Sequence, residues 1–423
     1  MADHFEVIVV GAGPAGNAAA LTLAKAGLDV LQLERAEFPG AKNAQGSLLW
    51  APALEQLIAD FHARAPLERH IVEQRLWTLD GDSHTGSRDW TTGTGSSAPD
   101  RYTILRAPFE AWFSSALRAA GVRVAFATTV TEVIREVDGR VSGVHTAGGG
   151  DFYADVVILA EGVASLIARQ SGLREDLHPQ TVALTIRELR RLPRPLLENR
   201  FGVQGDDGVV IEASGVFAPG IRGTGFVHTN RESLSVGVGC MVGDIVVSDL
   251  TPSELLARFK RHPSIKPLLA DSEVVDFSAQ LSPEGGYRVQ PRLFGDGWLC
   301  CGDGMQPGSP AHREGATLAL TTGRLAAETI IELSRHGRPM SARHLSLYRD
   351  KLERSPTLRL LHKQHASDSA AEEEHVFPVA DPRRLVRASR VLRRDANGGG
   401  RQKRMLRHFF RGSESSREVS GAA

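Results

Sequence analysis

The strongest constraint on the fold is a glycine turn together with the segments that flank it. Phe5 to Val10 read FEVIVV, an apolar, β-rich run suited to a strand buried on both faces. GAGPAG follows at once and places glycines at Gly11, Gly13 and Gly16. The alanine-rich stretch NAAALTLAKAGL then reads as a helix that stops at Gly27, and a second strand, DVLQL, ends at Glu34. Strand, glycine turn, helix, strand and acid, in that order, form a dinucleotide-binding fingerprint in its required context.

Each part has a mechanical task. Gly11 permits the tight turn, Gly13 lets the backbone approach a pyrophosphate, and Gly16 lets helix and strand pack closely. Pro14 and Ala15 open the helix, whose first N–H groups and partial positive charge face the phosphates. Glu34 can accept hydrogen bonds from ribose hydroxyls. The expected fold is therefore α/β, with a Rossmann-type domain at its start.

The rest of the composition mostly excludes. The chain has 423 residues, enough for two or three structural units. It carries 50 basic and 50 acidic residues, so net charge gives no argument for a specific nucleic-acid partner. Its three cysteines, Cys240, Cys300 and Cys301, include no C-x-x-C pair, so no Cys₄ cluster or zinc site can be built from this chain alone. Cys300 and Cys301, in the apolar run WLCC, read as two small buried residues. Low cysteine use fits the cytoplasm. The N-terminus does not read as a signal peptide, and no apolar run is long enough to span a bilayer.

The fingerprint alone does not choose between NAD and FAD. Three later segments do, through resemblance to FAD-dependent oxidoreductases of the p-hydroxybenzoate hydroxylase and geranylgeranyl reductase type. Arg106 opens RAPFEAWF, similar to an R-x-x-F-D/E element whose arginine pairs with the pyrophosphate. ADVVILAEG, ending in Glu161 and Gly162, resembles a second flavin-contact strand, with a helix from about Ala164. GWLCCGDGMQP resembles a G-D motif in which Asp303, after Gly302, holds the ribityl chain. A long helix from about Glu314 follows, apolar at Leu318, Leu325, Ile330 and Ile331, its N-terminus toward the flavin ring. The resemblance also carries cofactor contacts onto Arg35, Val130 and Gly315.

The resemblance narrows further. PGAKNAQGSLLW (39–50), APLERHIVEQRLW (65–77), RFKRHPSIKPLL (258–269), PEGGY (283–287) and HREGATLALTTGR (312–324) are similar to the FixC proteins. These belong to the electron transfer flavoprotein:quinone oxidoreductase family of Fix electron-transfer complexes, associated with nitrogen fixation. The match runs from about residue 4 to about residue 350. It implies FAD that takes electrons from electron transfer flavoprotein subunits and passes them to quinone, with a small ferredoxin-like protein supplying the cluster this chain lacks. It also places Lys42, Asn43 and Gly46 beside the flavin ring, and Pro283 to Tyr287 near the quinone side. Two departures are the proline-rich GDGMQPGSPA, with Met305, Pro307 and Pro310, and the region after about residue 365, which matches poorly.

Between about 180 and 290, short β-like runs such as TVALTIREL and SLSVGVGCM alternate with turns. They suggest an inserted antiparallel sheet covering one face of the flavin, with Glu212, His228 and Glu284 as polar residues of a cleft. The expected order is a FAD-binding domain in two parts (1–180 and 291–340), a substrate-side sheet (181–290) and a helical C-terminal region with a basic tail (341–423). From Arg383 to Arg411 the tail holds eleven Lys or Arg and one acid, Asp395, around a hinge at Gly398 to Gly400. Such a tail can make peripheral contact with an anionic membrane, grip an acidic partner, bind nucleic acid without specificity, or stay solvated. EEEH (372–375) reads as a solvated acidic loop.

Electron transfer to quinone, at the inner face of the cell membrane or in the cytoplasm, is the leading reading. A tailoring reductase or monooxygenase acting on a prenyl or other small molecule is the second. A flavin-binding scaffold without its own turnover is the third.

Overall fold

The computed structural model describes residues 3–41, 46–90, 101–218, 221–248, 250–283, 291–305, 315–356 and 359. All fall within one compact unit of the chain. Lys42, Asn43, Glu284, residues 306–314, the EEEH segment and the basic tail lie outside the described residues.

Two sheets organise these residues. The strands in chain order are β1 (Asp3–Val10), β2 (Val30–Leu33), β3 (Gly46–Trp50), β4 (Leu67–Asp80), β5 (Ser83–Trp90), β6 (Arg101–Leu105), β7 (Arg123–Ala125), β8 (Val130–Arg135), β9 (Val141–Thr146), β10 (Asp151–Leu159), β11 (Val182–Arg191), β12 (Asp207–Ala218), β13 (Ile221–Thr229), β14 (Ser233–Met241), β15 (Glu273–Pro283), β16 (Phe294–Gly295) and β17 (Trp298–Cys300). The first sheet runs β16-β17-β10-β1-β2-β7, with β9 on β10 and β8 on β9. Its centre is parallel: β1 pairs with β10 and β2, β10 with β17, and β2 with β7. Val7, Ile8 and Val9 of β1 and Val156, Val157 and Ile158 of β10 are fully buried, as continuous apolar strands covered on both faces must be.

Helix Pro14–Lys25 begins with proline near its first position, where the missing N–H costs nothing. Its Ala18, Ala19 and Ala20 are fully buried because a second helix, Gly315–Arg335, crosses it closely. The approach is set by Gly323, where a β-carbon would stand 2.0 Å from the carbonyl oxygen of Ala15. Leu318, Leu325, Ile330 and Ile331 of the long helix join the same core, together with Cys300 and Cys301. Burial pushes the Cys300 thiol up to about 12, so it behaves as a small apolar residue.

The second sheet runs β15-β11-β14-β13-β12-β4-β6-β3, with β5 on β4. It is antiparallel from β15 to β12, and β12 then pairs in parallel with β4. This sheet takes strands from before residue 106 as well as from 182–283. The N-terminal strands reach it because they leave the first sheet after β2 and return at β7. Among the described residues no helix is long and apolar enough to cross a membrane.

The Gly323 crossing gives a direct test. Gly323→Ala drives a methyl group into a backbone carbonyl and lowers stability by about 3 kcal/mol, the upper end of overpacking costs. Gly148→Ala, at an ordinary φ with open space around it, changes stability by less than about 0.5 kcal/mol. Denaturant unfolding of the two variants checks the contrast.

Candidate functional site

The carboxyl ends of β1, β2, β10 and β17 open into a cavity of about 980 Å³, closed on its other side by the second sheet. Such ends are where open α/β sheets bind ligands, and the volume is at the top of the usual small-molecule range.

At the end of β1, Gly11, Gly13, Pro14 and Ala15 line the cavity. Gly11 has φ +106°, and its β-carbon would lie 2.4 Å from the Ala160 carbonyl oxygen, so the turn requires glycine. Gly16 sits beneath the turn rather than on the wall, where a β-carbon would meet the Gly11 carbonyl oxygen at 2.0 Å. Open space lies above Gly13. No side chain caps helix Pro14–Lys25, so its first-turn N–H groups remain for a ligand.

At the end of β2, Glu34 and Arg35 line the wall. The Glu34 carboxylate accepts N–H bonds from Ala12 and Ala36, both at 2.8 Å, which fix it against the turn. A brace beside it escaped the sequence reading. Gln32 donates from Nε2 to Asn17 Oδ1 at 2.9 Å and to the Gly11 carbonyl at 3.2 Å. Both side chains are buried. The available signal was a glutamine inside an otherwise apolar buried strand.

Beyond β10, Glu161 and Gly162 also line the wall, as does Val130 at the start of β8. The Glu161 carboxylate accepts N–H bonds from Ile167 at 2.7 Å and Ala168 at 3.1 Å. It thereby caps helix Leu166–Gln170, which begins slightly later than expected. Ser165, at the helix start, makes no side-chain cap of its own. Burial raises the Glu161 pKa, while these N–H bonds and the nearby Arg174 and Arg35 charges oppose the rise.

At the end of β17, Gly302 donates its N–H to Thr322 Oγ1 of the long helix at 3.0 Å. This bond holds the turn that presents Asp303 to the cavity. Burial raises the Asp303 pKa, opposed by the Arg106 and Arg187 charges. Arg106 lines the wall, and its guanidinium is engaged by Glu110 one turn along its helix. Gly315 lines the wall at the start of the long helix, and Gly46 lines it at the start of β3.

The second sheet contributes alternate residues of β11 (Ala183, Thr185 and Arg187), faced across the strands by Ser282, Gln280 and Ser278 of β15. From β13 come Thr224, Phe226 and His228. His228 thus occupies the cleft expected for it. Glu212 does not: it stands opposite Phe226 in the β12–β13 pair but lies outside the cavity wall, its Oε2 taking a 2.8 Å bond from Gln74. Strand order sets it one strand beyond the cavity-lining β13. Arg187, which does enter the cavity, was not anticipated.

With this geometry in view, comparison with known proteins decides the family. Residues 6–172 match the FAD dependent oxidoreductase family. The chain is 51% identical to Protein FixC of Azorhizobium caulinodans over 85% of its own length and 83% of that protein's. The chain belongs to the FixC family. It is an FAD-dependent oxidoreductase. This FixC-family chain is also 36% identical to the Escherichia coli protein named probable electron transfer flavoprotein-quinone oxidoreductase YgcN, over 84% of the chain and 82% of that protein. A geranylgeranyl bacteriochlorophyll reductase-like protein from Thermoplasma acidophilum shares the fold, with a TM-score of 0.68 at 21% identity and 84% coverage of each chain.

The raised Asp303 pKa has a consequence for the FixC-family chain stripped of its cofactor. A carboxyl whose folded pKa exceeds its unfolded value supports the fold below the ordinary carboxylate range, and that support is lost as pH rises through the folded pKa. Stability of the FAD-free protein therefore falls over that window. Asp303→Asn removes this part of the pH dependence, which denaturant midpoints measured across pH would display.

Proposed function

We propose that the chain accepts electrons from an electron transfer flavoprotein and delivers them to a quinone. The observation that carries this reading is a single cavity with a dinucleotide turn on one wall and the polar and aromatic face of a second sheet on the other. The similarity to the protein named as a probable electron transfer flavoprotein-quinone oxidoreductase supports it. When bound, FAD supplies the chemistry that side chains lack, reversible uptake of two electrons.

The residues present fit that cofactor. The uncapped first turn after Gly13 and the open space above it suit a pyrophosphate. Arg106 keeps N–H groups beyond those given to Glu110, and these serve the same phosphates. The Glu34 carboxylate, fixed at the wall, accepts from ribose hydroxyls, with Arg35 and Val130 flanking the adenosine end. Asp303 gives ribityl hydroxyls an acceptor and gains the partners a buried carboxylate needs. Glu161 positions the wall through its helix cap, and Gly162 leaves space beside it. Gly46 borders the ring, and the start of the long helix at Gly315 directs its N-terminal partial charge there. The second sheet shields the ring from water and leaves a face, bordered by Thr224, Phe226 and His228, for the acceptor. In this reading the basic tail makes the peripheral membrane contact that a lipid-soluble quinone demands, and a small ferredoxin-like protein joins the complex.

Two measurements test these roles. Glu34→Ala weakens FAD retention about tenfold or more, as expected for lost hydrogen bonds to a charged acceptor; cofactor titration reads it. Anaerobic reduction, followed at the flavin band, compares NADH or NADPH with a reduced electron transfer flavoprotein, then adds a soluble quinone. Reduction by the flavoprotein with reoxidation by quinone is the expected result. Rapid reduction by a pyridine nucleotide alone would overturn the reading and point to a tailoring enzyme.

A further inference from the structure

Arg187 holds no part of the dinucleotide in the scheme above, yet the second sheet is shaped around it. It occupies the middle of β11, with Gly237 of β14 on one side and Ser278 of β15 on the other. The Phe226 ring of β13 lies over Gly237: a β-carbon there would come within 2.4 Å of Phe226 Cζ. The absence of that carbon lets the ring lie alongside the guanidinium, whose carbon is 5.7 Å from the ring centroid. Its Nε has no hydrogen-bond partner among the described residues. Burial pulls its pKa down to about 10, still protonated at neutral pH.

The balance of charge around it turns on Asp303. Among the described residues, Arg106 and Asp303 are the charged groups that act on Arg187. Glu110 answers Arg106 through their ion pair. Asp303 faces both arginines, and its burial favours the neutral carboxyl. Whenever Asp303 holds its proton, this group of four carries a net positive charge directed into the cavity.

We propose that Arg187 is the cation that answers the negative charge gained at the flavin ring on reduction, and that it thereby sets how readily the protein accepts electrons. The proposal rests on the reading that FAD occupies this cavity with its ring toward the second sheet. Two electrons from the donor and one proton from solvent reach the ring, which gains one net negative charge. Arg187 stays protonated throughout and transfers nothing. It is a positioning charge, held by Phe226 and by the flat glycine floor beneath that ring.

The test is a spectroelectrochemical titration of the full chain carrying FAD, with dithionite as reductant and indicator dyes. Arg187→Met is expected to lower the equilibrium constant for two-electron reduction at least tenfold, about 30 mV toward more negative potential. Arg187→Lys, which keeps the charge, is expected to stay near the native potential. If Arg187→Met is recovered without FAD, Arg187→Gln, which keeps polarity and most of the size, is measured in its place with the same expected fall. A native potential in the charge-removing variant would overturn the proposal, as would an equal fall in the Lys variant, which would mean that shape matters and charge does not. The titration uses neither a partner flavoprotein nor quinone. A failed electron route therefore leaves its result standing, and an unchanged potential leaves the electron route standing.

Discussion

The backbone of the glycine turn is approached from three sides at distances that leave no room for a β-carbon. Gly16 lies over the carbonyl of Gly11, Gly11 lies under the carbonyl of Ala160 at the end of β10, and Gly323 of the long helix crosses the carbonyl of Ala15. These contacts make one rigid joint of β1, β10 and two helices. The buried Gln32–Asn17 brace ties β2 into the same joint. From there the geometry of the cavity follows outward. The long helix, once seated on the turn, fixes Gly302 through Thr322, and Gly302 fixes Asp303. Widening the joint by one methyl group would separate the acid at Asp303 from the glycine turn it has to work with.

Electrostatics divide the cavity in two. Arg35 acts on Glu161 near the turn, whereas Arg106 and Arg187 act on Asp303 near the second sheet. In each region burial raises the pKa of a carboxyl while arginines oppose it. The chain thus avoids isolated buried charge in the sense that makes such groups costly, yet leaves polar capacity facing inward.

The first sheet and its turn were legible because their signals are local. Glycine spacing, an apolar strand and the acid at Glu34 fall within thirty-odd residues. Asp303 was legible for the same reason, as a strand followed by a G-D turn. The second sheet was legible only in part. Its strands between 182 and 283 show alternation, but β4 reveals its place only through parallel pairing with β12, more than a hundred residues away. Strand order also decided the site residues. Arg187 and Glu212 both sit in strands that read alike, and only the order β15-β11-β14-β13-β12 puts one in the cavity and the other beyond it. Glu161 lines the wall, but its cap on helix Leu166–Gln170 depends on a backbone bend at Ser165 that sequence does not display.

The parallel β4–β12 pairing also bears on how the chain is made. Neither sheet can close until late in synthesis: the second waits for β15, and the first for β17 and the helix that seats it. At translation rates of roughly 5–20 residues per second, β1 emerges tens of seconds before β17, the last strand of its sheet. During that interval apolar strands with open edges stand exposed on the nascent chain, a high-contact-order state that invites chaperone engagement. The two sheets are interleaved in the chain, so a break in the gene anywhere before β15 leaves both unfinished. Neither sheet is one contiguous stretch of chain, so neither can be exchanged as a single segment, whereas side chains facing the shared cavity can change one at a time.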